Sequence, residues 1–211
     1  MSKRISIKIS PLKNMITDSE LIQSIINDNS QKAFEELVNR YQPLVTKTCL
    51  GFVSTLADAE DIAQEVFIEV YQSLGNFRQQ SKLSTWLYRV AVNKSLNFVR
   101  REKRHRAARS IESFFGLGDN GKSNSMDVVS QRGSNADNRI EQQENKQMLK
   151  TAIASLPENQ RIAFVLSKYH ELSYKEIAEV MDVTISSVES LLFRAKQNLQ
   201  KKLLHEQKKY H

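Results

Sequence analysis

Apolar residues recur along most of this chain at three- and four-residue intervals, the spacing that lines one face of an α-helix. Leu21, Ile22, Ile25 and Ile26 mark a short first helix from Asp18 to Asp28, all four facing inward. Phe34, Leu37, Val38, Tyr41, Leu44 and Val45 mark a second from Gln31 to about Phe52, which Pro43 is expected to kink or split. Ile62, Val66, Val70 and Leu74 mark a third over 58–74, with Asp58 as N-cap and acids in the first turn that favour the helix dipole. Leu83, Trp86, Leu87, Val90 and Ala91 mark a fourth, from Leu83 to about Arg106. The period then lapses. Residues 107–139 are rich in Ser, Asn, Gly and Asp and read as a flexible linker, with Ser113-Phe-Phe-Gly-Leu117 as an apolar island. Helical spacing returns near Ile140 and runs to about Leu204. The pattern predicts an all-α protein: a mobile basic tail over 1–16, a four-helix domain over 17–106, the linker over 107–139, and a second helical domain over 140–211.

The second domain contains Ser173-Tyr-Lys-Glu-Ile-Ala-Glu-Val-Met-Asp-Val-Thr-Ile-Ser-Ser-Val-Glu-Ser-Leu-Leu-Phe-Arg-Ala-Lys196, two short helices around a tight turn. Ser173 and Glu176 have capping-box spacing, and Ser186 and Glu189 offer a second box. Ile177, Ala178 and Met181 point inward, Val183 plugs the turn, and Val188, Leu192, Ala195 and Leu199 continue the stripe. Such a pair can set its second helix into a DNA major groove, or can be an ordinary helical hairpin.

Composition narrows the choice. Thirty-one Lys and Arg against 24 Asp and Glu give a net charge of +7 and a pI near 9.4, which suits a polyanionic partner. Cys49 is the only cysteine, so no internal disulfide or cysteine metal site is possible, in keeping with a reducing, cytoplasmic setting. Cys49 lies in an apolar run and reads as core. The four His lack metal-ligand spacing, and no cofactor is expected. No apolar run approaches membrane-spanning length, the basic start lacks a signal-peptide core, and no Gly-rich Lys loop is present to hold a nucleotide.

Two surfaces stand out in the first domain. On the third helix, Asp61, Gln64, Glu65 and Glu69 project away from the buried stripe. An acidic stripe on a basic protein suits a basic protein surface, or is simply a solvated face. On the fourth, Asn93, Asn97, Arg100 and Arg104 recur at four, three and four residues and share a face. Amides hydrogen-bond base edges and arginines hold phosphates. The preceding polar loop Gly75-Asn-Phe-Arg-Gln-Gln-Ser-Lys82 can hold an unstacked base, while Phe77 and Trp86 equally suit core packing.

Together these blocks resemble bacterial sigma factors of the extracytoplasmic-function (ECF) group, of the sigma-70 family. Asp58–Gln72 is similar to their polymerase-clamp region, Phe77–Asn93 to their promoter-melting region, and Leu156-Pro-Glu-Asn-Gln-Arg-Ile-Ala-Phe-Val-Leu166 with the helix-turn-helix to their minus-35 reader. The resemblance implies a non-enzymatic initiation factor that binds core RNA polymerase at its clamp coiled coil and flap, reads promoter DNA, and answers to an anti-sigma factor. It implies polymerase contacts from Asp58, Asp61, Gln64 and Glu65. It implies minus-10 contacts from Asn76, Phe77, Arg78, Ser81, Lys82, Asn93, Asn97, Arg100 and Arg101. It implies minus-35 contacts from Ser186, Ser187, Glu189, Ser190, Phe193, Arg194 and Lys196, with the linker near the polymerase RNA-exit path. Three positions depart from the family's pattern: Glu189 and Leu191, where basic residues are common, and the loop, which lacks the Gly often found after Phe-Arg. Two other readings fit parts of the chain: a dimeric helix-turn-helix operator binder, and a sigma-like protein that binds polymerase without opening promoters.

Overall fold

The computed structural model describes residues 16–114, 145 and 147–207. The expected tail over 1–15 and most of the expected linker, including Phe115 to Leu117, lie outside the described residues. All regular structure among the described residues is helical.

Helix α1 spans Asp18–Asp28 and opens on a capping box between Thr17 and Glu20. Leu21, Ile22 and Ile25 are buried, but Ile26 is exposed, contrary to expectation, because it falls a further 100° around from Ile25. Helix α2 spans Gln31–Leu50, capped by Ser30. Pro43 does not split it. Pro43 and Asn39 both face solvent, so the carbonyl that the proline leaves unbonded is accessible to water. Asp18 joins the two helices, accepting from Arg40 at 2.9 Å and from the Tyr41 hydroxyl at 2.5 Å.

Helix α3 spans Leu56–Ser73, and its cap is Thr55, whose hydroxyl accepts from the Asp58 amide at 3.0 Å. Asp58, the expected cap, is therefore a first-turn acid three residues inside the observed one. A 3₁₀ turn, Leu74–Asn76, leads to the loop before α4. Helix α4 spans Leu83–Phe114, beyond the expected end near Arg106. Residues 107–114 contain Ala and Arg and no Gly or Pro, so nothing local stops the helix. A helical stretch over 147–154 (α5) precedes α6 (Glu158–Tyr169), α7 (Tyr174–Met181) and α8 (Ile185–Gln207).

Two apolar clusters organise these helices. The first joins α1 to α4 around Leu37, Ile62, Val66, Val70 and Leu87. The second joins α5 to α8 around Leu166, Ile177, Val188, Leu192 and Ala195, and it also takes in Phe52, Tyr88, Val92 and Leu96 from the first domain. Helix α4 is apolar on two sides. Leu83, Leu87, Val90 and Ala91 face its own domain; Tyr88, Val92 and Leu96, spaced by four, face the other.

Candidate nucleic-acid interface

The solvent side of α4 and the neighbouring edge of α3 form an open groove of about 750 Å³. Glu65 lines it from α3, and Lys94, Asn97, Phe98 and the four cations Arg100, Arg101, Lys103 and Arg104 line it from α4. Lys94 is drawn to Glu69 at 2.7 Å, and the Arg101 guanidinium sits 5.4 Å from the Phe98 ring centre. Arg100 Nη1 donates to the Asn97 side-chain oxygen at 3.4 Å. The groove thus gathers Asn97, Arg100 and Arg101 as expected, while Asn93 is exposed one turn earlier, outside its lining. Five cations, Lys94 among them, beside one lining carboxylate give a net positive channel lined by an aromatic edge, which suits a nucleic-acid strand.

The loop between the 3₁₀ turn and α4 is anchored by its aromatic. Phe77 is half-buried and stacks on Trp86, with ring centres 5.0 Å apart and planes 25° apart. One face of its ring is thereby occupied, so Phe77 holds the loop on α4. Asn76, Arg78 and Lys82 are exposed and Ser81 is half-buried. Gln79 has φ 53°, in the left-handed region where glycine is at ease, and its side-chain oxygen accepts from Ser19 at 3.1 Å. Gln79 occupies the position after Phe-Arg where the family often has glycine.

On α3, Asp61, Gln64 and Glu65 are exposed together, with Asp58 half-buried at the helix start. Ile68 and Tyr71 extend the same face and are 58% and 51% exposed. The sequence reading overlooked this apolar continuation. Its signal is that Ile68 stands out of register with the buried Ile62, Val66 and Val70.

In the helix-turn-helix, Ser173 and Glu176 form the expected capping box. The Ser173 hydroxyl and amide hold the Glu176 carboxyl below its ordinary range. Asp182 ends α7 at φ 55°. Val183 does not plug the turn; it is 39% exposed. Thr184, not Ser186, caps α8: its hydroxyl accepts from the Ser187 amide at 3.1 Å and pairs with the Ser187 hydroxyl at 2.8 Å. The helix starts two residues earlier than a Ser186–Glu189 box requires, because the αL turn at Asp182 completes the chain reversal sooner. Ser186, Ser187, Glu189, Ser190, Phe193, Arg194 and Lys196 are all exposed, Phe193 by 63%. Leu191 is partly buried against the second cluster and is not part of that exposed face.

Burial pushes the Cys49 thiol up to about 11, consistent with a core residue. Among the described residues there is no group of three or more His, Cys, Asp or Glu that could hold a metal. None of the helices described is long and apolar enough to cross a membrane.

Comparison with known proteins accounts for this arrangement. The family description "Sigma-70 region 2" matches residues 37–105, and "Sigma-70, region 4" matches residues 146–199. The basic groove lies in the first match and the helix-turn-helix in the second, which defines a sigma-type transcription initiation factor and not an enzyme. The chain is 33% identical over 192 residues to the ECF RNA polymerase sigma-E factor of Escherichia coli K12, spanning 91% of this chain and 97% of that one. It is 31% identical over 192 residues to the sigma-E factor of Haemophilus influenzae, spanning 91% and 98%. The chain belongs to the ECF sigma factors. Its fold is also that of CnrH, solved with the cytosolic domain of CnrY (TM-score 0.58, 20% identity, 87% of this chain and 94% of that one). It is likewise that of the sigma factor RpoE of Bartonella quintana, solved with the anti-sigma factor NepR (TM-score 0.54, 22% identity, 82% and 97%).

Proposed function

We propose that the first domain, over 17–106, grips core RNA polymerase with α3 and reads the minus-10 element with α4 and its preceding loop, while the second, over 140–211, reads the minus-35 element with α8. The observation that carries this is the meeting of an acidic-apolar face and a basic groove at Glu65, on adjoining helices of one domain. Asp61, Gln64 and Glu65, extended by Ile68 and Tyr71, suit a basic protein surface with an apolar centre. Asp58 contributes at the margin, since it is half-buried.

On α4, Asn93 and Asn97 offer amides to base edges, and Arg100 and Arg101 hold the strand backbone. Asn76, Arg78, Ser81 and Lys82 form the pocket for an unstacked base, with Phe77 fixing its shape through Trp86. Unstacking costs a few kcal/mol, and capturing the base as it leaves the stack offsets that cost. On α8, Arg194 and Lys196 take phosphates, Ser186, Ser187 and Ser190 reach the duplex, and Phe193 supplies an apolar contact for a thymine methyl. Glu189 accepts from a cytosine amino group.

Core polymerase holds the two domains at a fixed spacing, so contacts that are modest singly combine through effective concentration. The second domain also rests on the polymerase flap, and the linker over 107–139 passes near the RNA-exit path. The chain acts in the cytoplasm, where it meets polymerase. It needs no nucleotide or cofactor of its own. A sequestering anti-sigma factor controls it, as the complexes of CnrH with CnrY and of RpoE with NepR suggest.

Reversing the charge of the α3 face tests the polymerase assignment. Asp61→Arg with Glu65→Arg is expected to weaken binding to core polymerase by at least about 100-fold, because each new like-charge contact costs several kcal/mol. Unchanged affinity in a direct binding titration rules that face out.

A further inference from the structure

The loop over 77–82 is held at three points, and the middle one is under strain. Phe77 fixes its start by stacking on Trp86, and the Phe77 amide donates to the Leu74 carbonyl at 3.0 Å. The Lys82 carbonyl fixes its end by accepting from the Trp86 amide at 3.3 Å, the first backbone bond of α4. Between them Gln79 carries the chain through the left-handed region at φ 53°. A side chain is strained there, and glycine would relieve it. The side chain present has a partner 60 residues away in the chain: its Oε1 accepts from the Ser19 hydroxyl at 3.1 Å.

Ser19 is a firm partner because both of its neighbours are tied. Asp18 accepts from Arg40 and from the Tyr41 hydroxyl, which pins the start of α1 to α2. Glu20 closes the capping box with Thr17. That box uses the Thr17 and Glu20 side chains, so the Ser19 hydroxyl is left for the loop. The bond lies in water, where folding exchanges one hydrogen bond for another, so it does little for the fold as a whole. Its effect is local: it selects one conformation of a short polar loop. Strain kept where the surroundings enforce it is a mark of pre-organisation.

We infer that Ser19 and Gln79 are positioning residues for base capture: the hydroxyl on α1 holds the left-handed turn at Gln79, so the pocket has its shape before DNA arrives. The inference rests on the reading of this loop as the base pocket, and goes beyond it by giving α1 a part in the choice of base. Arg78 directly precedes the held residue and Ser81 follows it by two, so both take their direction from that turn. A pocket already formed has less to order on binding. Glycine in place of Gln79 would accept the same φ but leave the turn free to sample others.

The test uses the full chain bound to core polymerase. The probe is a library of single-stranded DNA 12-mers with a randomised centre; bound strands are sequenced, which gives the base preference at every position. Ser19→Ala should reduce the preference at one position by about threefold, the effect of a modest hydrogen bond. Preferences elsewhere and affinity for core polymerase should not change. Ser19→Thr, which keeps the hydroxyl, should retain the wild-type preference. Gln79→Gly should lose at least as much as Ser19→Ala, and the double variant no more than Gln79→Gly alone, because both act through one bond. Unchanged preference in Ser19→Ala would overturn the inference. So would additive losses, a threonine variant no better than alanine, or an equal loss at all positions. The control is Arg78→Ala with Lys82→Ala, in the pocket itself. If it shifts a base preference while Ser19→Ala does not, the positioning role alone falls; if it shifts none, the base-pocket reading falls with it.

Discussion

Helices α4 and α8 are both assigned to DNA, yet the molecule treats them differently. The outward face of α8 is free: among its seven proposed contacts, only Ser187 is engaged by a side chain in the hydrogen bonds described above, and that is its own cap, Thr184. The outward face of α4 is tied down, with Arg100 on Glu158 and Lys94 on Glu69. The difference follows from position. Helix α8 lies at the rim of its domain and presents one apolar side inward, through Val188, Leu192, Ala195 and Leu199. Helix α4 is a shared wall with apolar residues toward both domains, so its polar strip runs beside the seam and meets acids from across it.

This contrast can be broken or sharpened by mutation. The largest effect is expected at Asn97. Asn97→Ala removes a base-edge contact worth about 1–3 kcal/mol, so open-complex formation should fall by about 5- to 150-fold while polymerase affinity holds. Parallel loss of both would make Asn97 a structural residue. On α8 the signature is different. Arg194→Ala with Lys196→Ala should lower the slope of log affinity against log salt by about two on duplex minus-35 DNA, one unit per phosphate contact. An unchanged slope would take these cations off the phosphates.

A smaller effect should be seen in pH. His170 sits at the seam, edge-on to Tyr88 of α4 and near Lys47 of α2. The Thr48 hydroxyl donates to the Leu44 carbonyl at 2.8 Å, so it accepts from His170 Nε2, 3.0 Å away. Burial, with a contribution from Lys47, pushes the His170 pKa down from 6.5 to about 4. A depressed imidazole favours docking fully above its ordinary value, and that contribution is lost as pH falls from 6.5 toward 4. The radius of gyration should therefore grow on acidification across that window in wild type, and much less in His170→Gln. Equal growth in both would remove His170 from the seam's energetics.

The smallest effect is expected at Gln79. Its left-handed backbone costs about 1 kcal/mol, partly offset on replacement by the greater freedom of unfolded glycine. Gln79→Gly should raise thermal stability by less than about 1 kcal/mol, read as a small rise in Tm. A fall would mean that the Ser19 contact outweighs the strain.

The helices and their grouping into two helical domains were legible in the sequence because each domain's own core imposes a simple period. What escaped it depends on neighbours or on turn geometry. Tyr88, Val92 and Leu96 form a second stripe on α4 that was present in the sequence but has meaning only once another domain is known to cover it. Leu191, which stands where basic residues are common in the family, packs partly into the second cluster. Ser186 and Thr184 are both competent caps, and the αL residue Asp182 decided between them. Ile68 and Tyr71 were lost among the apolar residues of α3, since one period cannot separate a buried stripe from a sticky exposed one.

The most direct test of the central claim is run-off transcription with purified core polymerase on a pooled library of bacterial promoter regions, with and without this chain. The account predicts new transcripts that appear only with the chain, whose start sites share a pair of upstream elements, and that vanish with Asp61→Arg and Glu65→Arg. Binding to core polymerase without any new transcript would contradict it.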